Sequence, residues 1–265
     1  VAVLAALAAM PLWAQWRLEG PVRQGALVRG YAEPGSVVRF QGRAVRVSAE
    51  GYFLIGFGRD APSTAELVVI PPGGEAEPRL LQVEQRAYQE QRIDGLPPRK
   101  VEPGAEDLQR IRSEAALVAA ARRRDTAETY FASDFIWPVQ GIVTGIYGSR
   151  RILNGQPRRP HYGVDIAAAE GTPVKSPAPG VVALVHEDMF FSGGTLVIDH
   201  GHGLSSTLIH LHRILVEEGA VVTQGQVVAE VGATGRATGP HLDWRVNLFK
   251  ARLDPELIAG PPPGR

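Results

Sequence analysis

Between Trp16 and about Val83, apolar residues recur at every second position, as in Val38/Phe40, Val45/Val47 and Phe53/Ile55/Phe57, with the turn sequences "EPGS", "QGR" and "AEG" between the runs. A period of two places alternate side chains on opposite faces of an extended strand, so these short runs must pair and bury one face. The spacing predicts a small antiparallel β-sandwich over 16–83. No convergent polar cluster falls within it, so its reading is a spacer or binding module.

The pattern then changes twice. Residues 84 to 104, with "GLPPRKVEPG", are polar and proline-bearing and read as a linker. From Ala105 to about Thr129 the apolar positions Leu108, Ile111, Ala115, Val118 and Ala121 follow helical spacing, with acids early and arginines late. The run Arg122, Arg123, Arg124 reads as one solvated helix face. After Phe135 glycine-punctuated β pattern returns, with candidate strands 142–146, 180–186, 195–199, 206–210, 227–231 and 242–246, so this half is predicted to be antiparallel β.

Composition removes several classes of function. The 265 residues carry 28 Lys+Arg against 28 Asp+Glu, with no block of five like charges, which argues against an electrostatic grip on nucleic acid. There is no cysteine, so thiol chemistry and zinc fingers are excluded and any metal site must use His, Asp and Glu. Residues 1–15, "VAVLAALAAMPLWAQ", resemble the apolar core and cleavage site of a secretory signal, without its basic start. About 14 apolar residues fall short of the ~20 that span a bilayer, so export is the expectation, with membrane contact only through an uncleaved N-terminal tether.

Three pairs of metal-capable side chains fall in the second β region. "HYGVD" sets His161 four residues before Asp165, "HLH" holds His210 and His212, and "HLD" holds His241 and Asp243. Even spacing on a strand puts both members of a pair on one face. Imidazole with carboxylate suits zinc, whose catalytic sites take three protein ligands and leave one position open. His186, His200 and His202 read as turn residues, and "GATGRATG" as tight turns rather than a phosphate loop, since no Gly-Lys-Ser/Thr ending follows.

Together, "YGSRRILNGQPRRP", "HYGVDIAAAEGTPVKSPAPGVV", "GGTLVIDHGHGLSSTLIHLHRI" and "GAVVTQGQVVAEVGATGRATGPHLDW" resemble, in order, the lysostaphin/LytM-type zinc metallopeptidases of family M23. "EGYFLIGFGRDAP" is similar to the N-terminal β domain of secreted proteobacterial members. The resemblance implies a mainly β chain: a signal-like segment 1–15, the sandwich 16–83, linker and helix 84–134, a LytM-type (duplicated hybrid motif-like) peptidase domain 135–258, and a tail 259–265.

It also implies zinc held by His161, Asp165 and Asp243, with His241 as general base and His210 beside the metal. His212 matches no family position and reads as a strand-end or surface residue. Asp243 stands where the family usually has histidine, and Leu208 replaces a frequent tyrosine. One histidine with two aspartates would cancel the zinc charge, which leads to a weaker Lewis acid and a more alkaline optimum.

The implied activity is hydrolysis of peptide cross-links in bacterial peptidoglycan, with stem peptides as substrate and the periplasm as location. The alternatives are a catalytically degenerate activator of cell-wall amidases and a wall-binding module without hydrolysis.

Overall fold

The computed structural model describes residues 16–263. The signal-like segment 1–15 lies outside them. Among the described residues no helix is long and apolar enough to cross a membrane.

The alternating N-terminal runs form two facing sheets. One orders Trp16–Glu19, Leu27–Ala32 and Tyr52–Gly56; the other orders Arg43–Val45, Val37–Phe40, Thr64–Ile70 and Glu77–Gln82, all antiparallel. Val28, Phe53, Ile55, Phe57, Leu67 and Val69 fill the space between them. Gly30 lies directly under the ring of Phe53, where any Cβ would collide with it.

The C-terminal half is one ten-stranded sheet built on Gly180–Met189, Gly193–Gly201, Leu204–Ile214, His241–Leu248 and Val164–Ala167. Its long strands extend the expected segments 195–199, 206–210 and 242–246 at both ends, and 180–186 at its C-terminal end. Leu196, Ile198, Leu204, Leu208 and Trp244 are fully buried between its curled faces. Truncating a buried aromatic such as Trp244 costs about 3–5 kcal/mol, which fixes the strand that carries His241 and Asp243.

Several expectations need correction. The stretch read as a linker contributes strand Glu90–Ile93, which pairs in parallel with Arg150–Leu153 in a small separate sheet, while the ten-stranded sheet is antiparallel as expected. The helix runs over Ala105–Ala121 and stops short of residue 129. It buries only the C-terminal end of its apolar stripe: Ala121 is buried and Val118 packs beside it, but Leu108 is 41% exposed, while the acidic Asp107 and Glu114 are buried. Polar anchors explain this. Arg99 donates two hydrogen bonds to Asp107, and Glu114 accepts from the backbone N–H of Phe190 at 2.8 Å.

Arg122, read as a solvated residue, is 9% exposed. His186 and His200 lie on strands rather than turns, with His200 buried between Pro179 O and Ser206 Oγ. His202 lies in the turn after Gly193–Gly201, as its glycine neighbours suggest.

The two halves are bolted together. Arg86 pairs with the buried Asp254 at 2.8 Å, Arg59 donates to Gly148 O at 2.7 Å, and Leu27 and Leu54 join the core that holds Leu248 and Leu253.

Candidate metal centre

Asp165 and Asp243 sit directly opposite each other on adjacent antiparallel strands. Alternation turns Val164, Ile166, Leu242 and Trp244 into the core, which leaves both carboxylates on the other face. His161 precedes the Asp165 strand and is held by a backbone exchange: its N–H donates to Ser149 O at 2.9 Å, and its carbonyl accepts from Gly148 N at 2.8 Å. The three side chains are buried, and one ligand atom from each falls within 4.8 Å of the others. His161 Nε2 lies 3.0 Å from Asp165 Oδ1 and 3.3 Å from Asp243 Oδ2.

Two glycines permit this approach. A Cβ on Gly163 would fall 2.4 Å from Asp243 Oδ1 and 2.6 Å from Trp244 O; one on Gly145 would fall 2.1 Å from Asp165 Oδ2.

His210 reaches the same place by a break in strand geometry. With Leu208 and Leu211 both in the core, simple alternation would not leave His210 facing the site. Its φ of 66° is left-handed and inserts the extra turn that does so. Its ring lies 4.7 Å from that of His241, centre to centre.

Both rings have a defined tautomer. His210 Nδ1 is 2.8 Å from Thr234 O, and His241 Nδ1 is 2.8 Å from Gly239 O. A carbonyl can only accept, so each Nδ1 carries a proton, and in the neutral ring the lone pair is then on Nε2. The Thr234 and Gly239 carbonyls come from the glycine-rich turns of "GATGRATG", which thereby orient both histidines. His241 Nε2 lies 3.9 Å from Asp165 Oδ1. His212 is exposed, with Nδ1 3.3 Å from Glu170 Oε1, and joins none of the site contacts.

Electrostatics at the site are set by burial against charge. Burial works against ionising Asp243, yet Arg245 and His161 outweigh it and hold the carboxyl well below the usual range. Burial likewise opposes charge on Asp165, and His161 and Arg151 hold it low. For His161 burial favours the neutral ring, but the two carboxylates raise it. Burial pulls His210 down to about 4, so it is a neutral acceptor at neutral pH.

Sequence reasoning missed two residues, Arg151 and Arg245. Arg151 donates to Asp165 Oδ2, and Arg245 spans Asp243 with Nε at 3.0 and 3.1 Å and Nη2 at 2.6 Å. The signal available for Arg245 was its place two residues beyond Asp243 on the same strand face.

The donor atoms fit a metal ion. His161 Nε2 and Asp165 Oδ1 are buried and, though 3.0 Å apart, make no well-formed hydrogen bond, a state in which buried polar atoms are seldom left. Asp243 Oδ2, 3.3 Å from His161 Nε2, accepts from both Nε and Nη2 of Arg245, so an ion there would compete with that guanidinium.

Comparison with known proteins converges on the same segment. Residues 159–255 match the model of peptidase family M23. The chain is 44% identical over 95 residues to the peptidoglycan DD-endopeptidase ShyB of Vibrio cholerae, covering 36% of this chain and 22% of that one. It is 35% identical over 103 residues to an uncharacterized metalloprotease of Haemophilus influenzae, covering 39% and 22%. The chain thus spans less than a quarter of the length of these two curated relatives. A crystal structure from Pseudomonas aeruginosa assigned to peptidase M23 superposes with a TM-score of 0.66 at 32% identity, covering 91% of this chain and 96% of that one. Through that near-complete match, sandwich and ten-stranded sheet together, the chain belongs to peptidase family M23.

Proposed function

We propose that the protein is a metal-dependent hydrolase of the peptide cross-links in bacterial peptidoglycan, acting in the periplasm. The observation that carries this reading is the convergence of His161, Asp165 and Asp243 within 4.8 Å, with two histidine rings beside them, each oriented through Nδ1. Zinc suits the imidazole and carboxylate set, and His161 Nε2, Asp165 Oδ1 and Asp243 Oδ2 would hold it. When bound, such an ion lowers the pKa of water and polarises a carbonyl.

The chain's own residues then divide the proton work. His241 Nε2, fixed by the Nδ1 bond to Gly239 O, takes the proton of the attacking water and returns it to the leaving amine. His210, oriented by Thr234 O, lies beside it with its ring tilted by 45° and accepts a hydrogen bond from the reacting group at Nε2. Arg151 orients Asp165 through Oδ2 and leaves Oδ1 free for the metal. With leucine at 208 buried in the core, no hydroxyl from that position assists.

The arginines favour a second reading. Arg151 and Arg245 already neutralise both carboxylates, so the site is tolerable without a metal. A metal-free form would act as a wall-binding module or as an activator of cell-wall amidases.

Purified protein decides between them. Near-stoichiometric zinc together with shortening of cross-linked muropeptides supports the hydrolase; metal-free protein that leaves muropeptides intact and stimulates an amidase supports the activator. Fractionation of cells producing the native gene tests the location, with cytoplasmic recovery counting against it.

A further inference from the structure

Next to Asp243, between helix Ala105–Ala121 and the sheet, lies a cavity of about 360 Å³. Arg122, Arg245, Arg252 and Lys250 all line it. Arg245 joins it directly to the candidate metal centre, since the same guanidinium binds Asp243.

The charges in this cavity do not balance. Arg122 is 9% exposed, donates only to Thr207 Oγ1 at 3.0 Å, and leaves its buried Nε without a hydrogen-bond partner. Neither Arg122 nor Arg252 has a carboxylate partner among the described ion pairs. The one acid lining the cavity, Glu114, is taken up by Arg110 and the Phe190 N–H. Burial pulls Arg252 down to about 10, which still leaves it charged at neutral pH. A buried guanidinium without an anion is costly, and a bidentate oxyanion is its natural complement.

We propose that this chamber binds a carboxylate of the peptide substrate, with Arg122 and Arg252 as the recognising groups. The walls favour a peptide over a free inorganic anion, because Val118, Met189, Phe191 and Ile209 supply apolar surface around the arginines. Ile209 also pairs across the strands with Asp243, so a chain lying along that wall passes from the cavity to the metal centre. This inference rests on a stem peptide being the ligand, since stem peptides carry free carboxylates beside apolar side chains.

Binding can be measured without hydrolysis. Whole protein stripped with chelator is titrated calorimetrically with a cross-linked stem-peptide dimer, with the same dimer amidated at its carboxylates, and with sodium phosphate. The free-carboxylate dimer is expected to bind about tenfold more tightly than the amide, the worth of one charge-assisted contact. Arg122→Gln and Arg252→Gln should each shrink that preference, while Arg122→Lys retains part of it; unchanged melting temperatures show that the fold persists.

Equal binding of both dimers, no binding of either, or an undiminished preference in both Gln variants would overturn the assignment. So would phosphate binding more tightly than the free dimer at the same arginines. An inactive protein that keeps the arginine-dependent preference would defeat the hydrolase reading alone; an active one that shows no preference would defeat only this proposal.

Discussion

Arg245 grips Asp243 from two positions further along the same strand, with Nε 3.0 and 3.1 Å from the two carboxylate oxygens and Nη2 2.6 Å from Oδ2. The aspartate that stands at the expected third ligand position therefore arrives already paired. With Arg151 on Asp165, two carboxylates and two guanidiniums cancel before any metal enters. The charge argument drawn from the ligands alone, which led to a weakened metal and an alkaline optimum, lacks these two cations. Their effect is first on affinity: a dication entering a neutral site gains less than one entering a site with net negative charge.

Removing Arg245 should therefore strengthen metal binding while weakening the apo fold. Arg245→Met keeps the volume near Trp244 and frees both oxygens of Asp243. Zinc affinity, measured by competition with a coloured chelator, is expected to rise about tenfold or more, a gain of roughly 1.4 kcal/mol. The metal-free variant should lose about 3–5 kcal/mol of stability, because a buried carboxylate is left short of its partner. Zinc should restore much of that loss by linkage. Unchanged zinc affinity would show that Arg245 does not compete with the metal.

Asp243 itself separates a ligand from a structural ion pair. Asp243→Ala is expected to abolish stoichiometric zinc, whereas Asp243→His should retain or increase it, because imidazole binds zinc at about the same distance and carries no negative charge to hold Arg245. Metal analysis of the two purified variants reads this directly. Full zinc content in Asp243→Ala would remove Asp243 from the ligand set.

The two site histidines should act on rate without changing metal content. His241→Gln removes the acceptor at Nε2 while preserving bulk, and a loss of about 10²–10⁴ in kcat is expected on muropeptide dimers. His210→Gln should cost less, since in the proposed mechanism its Nε2 accepts a hydrogen bond and His241 carries the proton. If His210→Gln were the more damaging change, the two roles would be reversed.

The pattern of legibility follows the range of the forces involved. Strands 180–186 and 227–231 could be read because period-two burial is a local property; even spacing of metal-capable residues marks the pairs His161/Asp165, His210/His212 and His241/Asp243, and the family resemblance singles out His161, Asp165 and Asp243 among them. Glu90–Ile93 could not be read from its composition, because "EQRI" becomes a strand only by pairing with Arg150–Leu153 some sixty residues on. His210 faces the site through a positive φ that no residue near it announces. Arg122 and Arg151 look in sequence like any other surface arginine, and Arg245 announces itself only by its even spacing from Asp243; the fold alone brings the three to the carboxylates and the neighbouring cavity.

Close packing at Gly163 gives a steric test of the site. An alanine there would place Cβ 2.4 Å from Asp243 Oδ1, 2.6 Å from Arg245 Cγ and 2.6 Å from Trp244 O. The last is backbone of the strand that carries both His241 and Asp243, so the whole strand must shift. Gly163→Ala is expected to cost about 1–3 kcal/mol in chemical denaturation and to weaken zinc binding in parallel. Gly155→Ala is a poor control despite its open surroundings, because its φ of 77° is strained for any side chain. Gly104→Ala, with nothing within 4 Å and an ordinary φ, should leave zinc binding unchanged.

Acid should destabilise the protein through histidines as well as carboxylates. His200 is fully buried between Pro179 O and Ser206 Oγ, and burial pulls it down to about 4. In the unfolded chain its pKa returns to ~6.5. Between those values the unfolded state binds a proton that the folded state refuses, so stability rises with pH across the window and is lost as pH falls through it. The slope is at most about 1.4 kcal/mol per pH unit for this residue. His200→Asn retains polar contacts without titrating near neutrality, and should flatten the pH dependence of the melting temperature between about 4 and 6.5 relative to the parent. An unchanged slope in His200→Asn would assign the acid sensitivity elsewhere, with the ion-paired carboxylates Asp165 and Asp243 the next groups to examine.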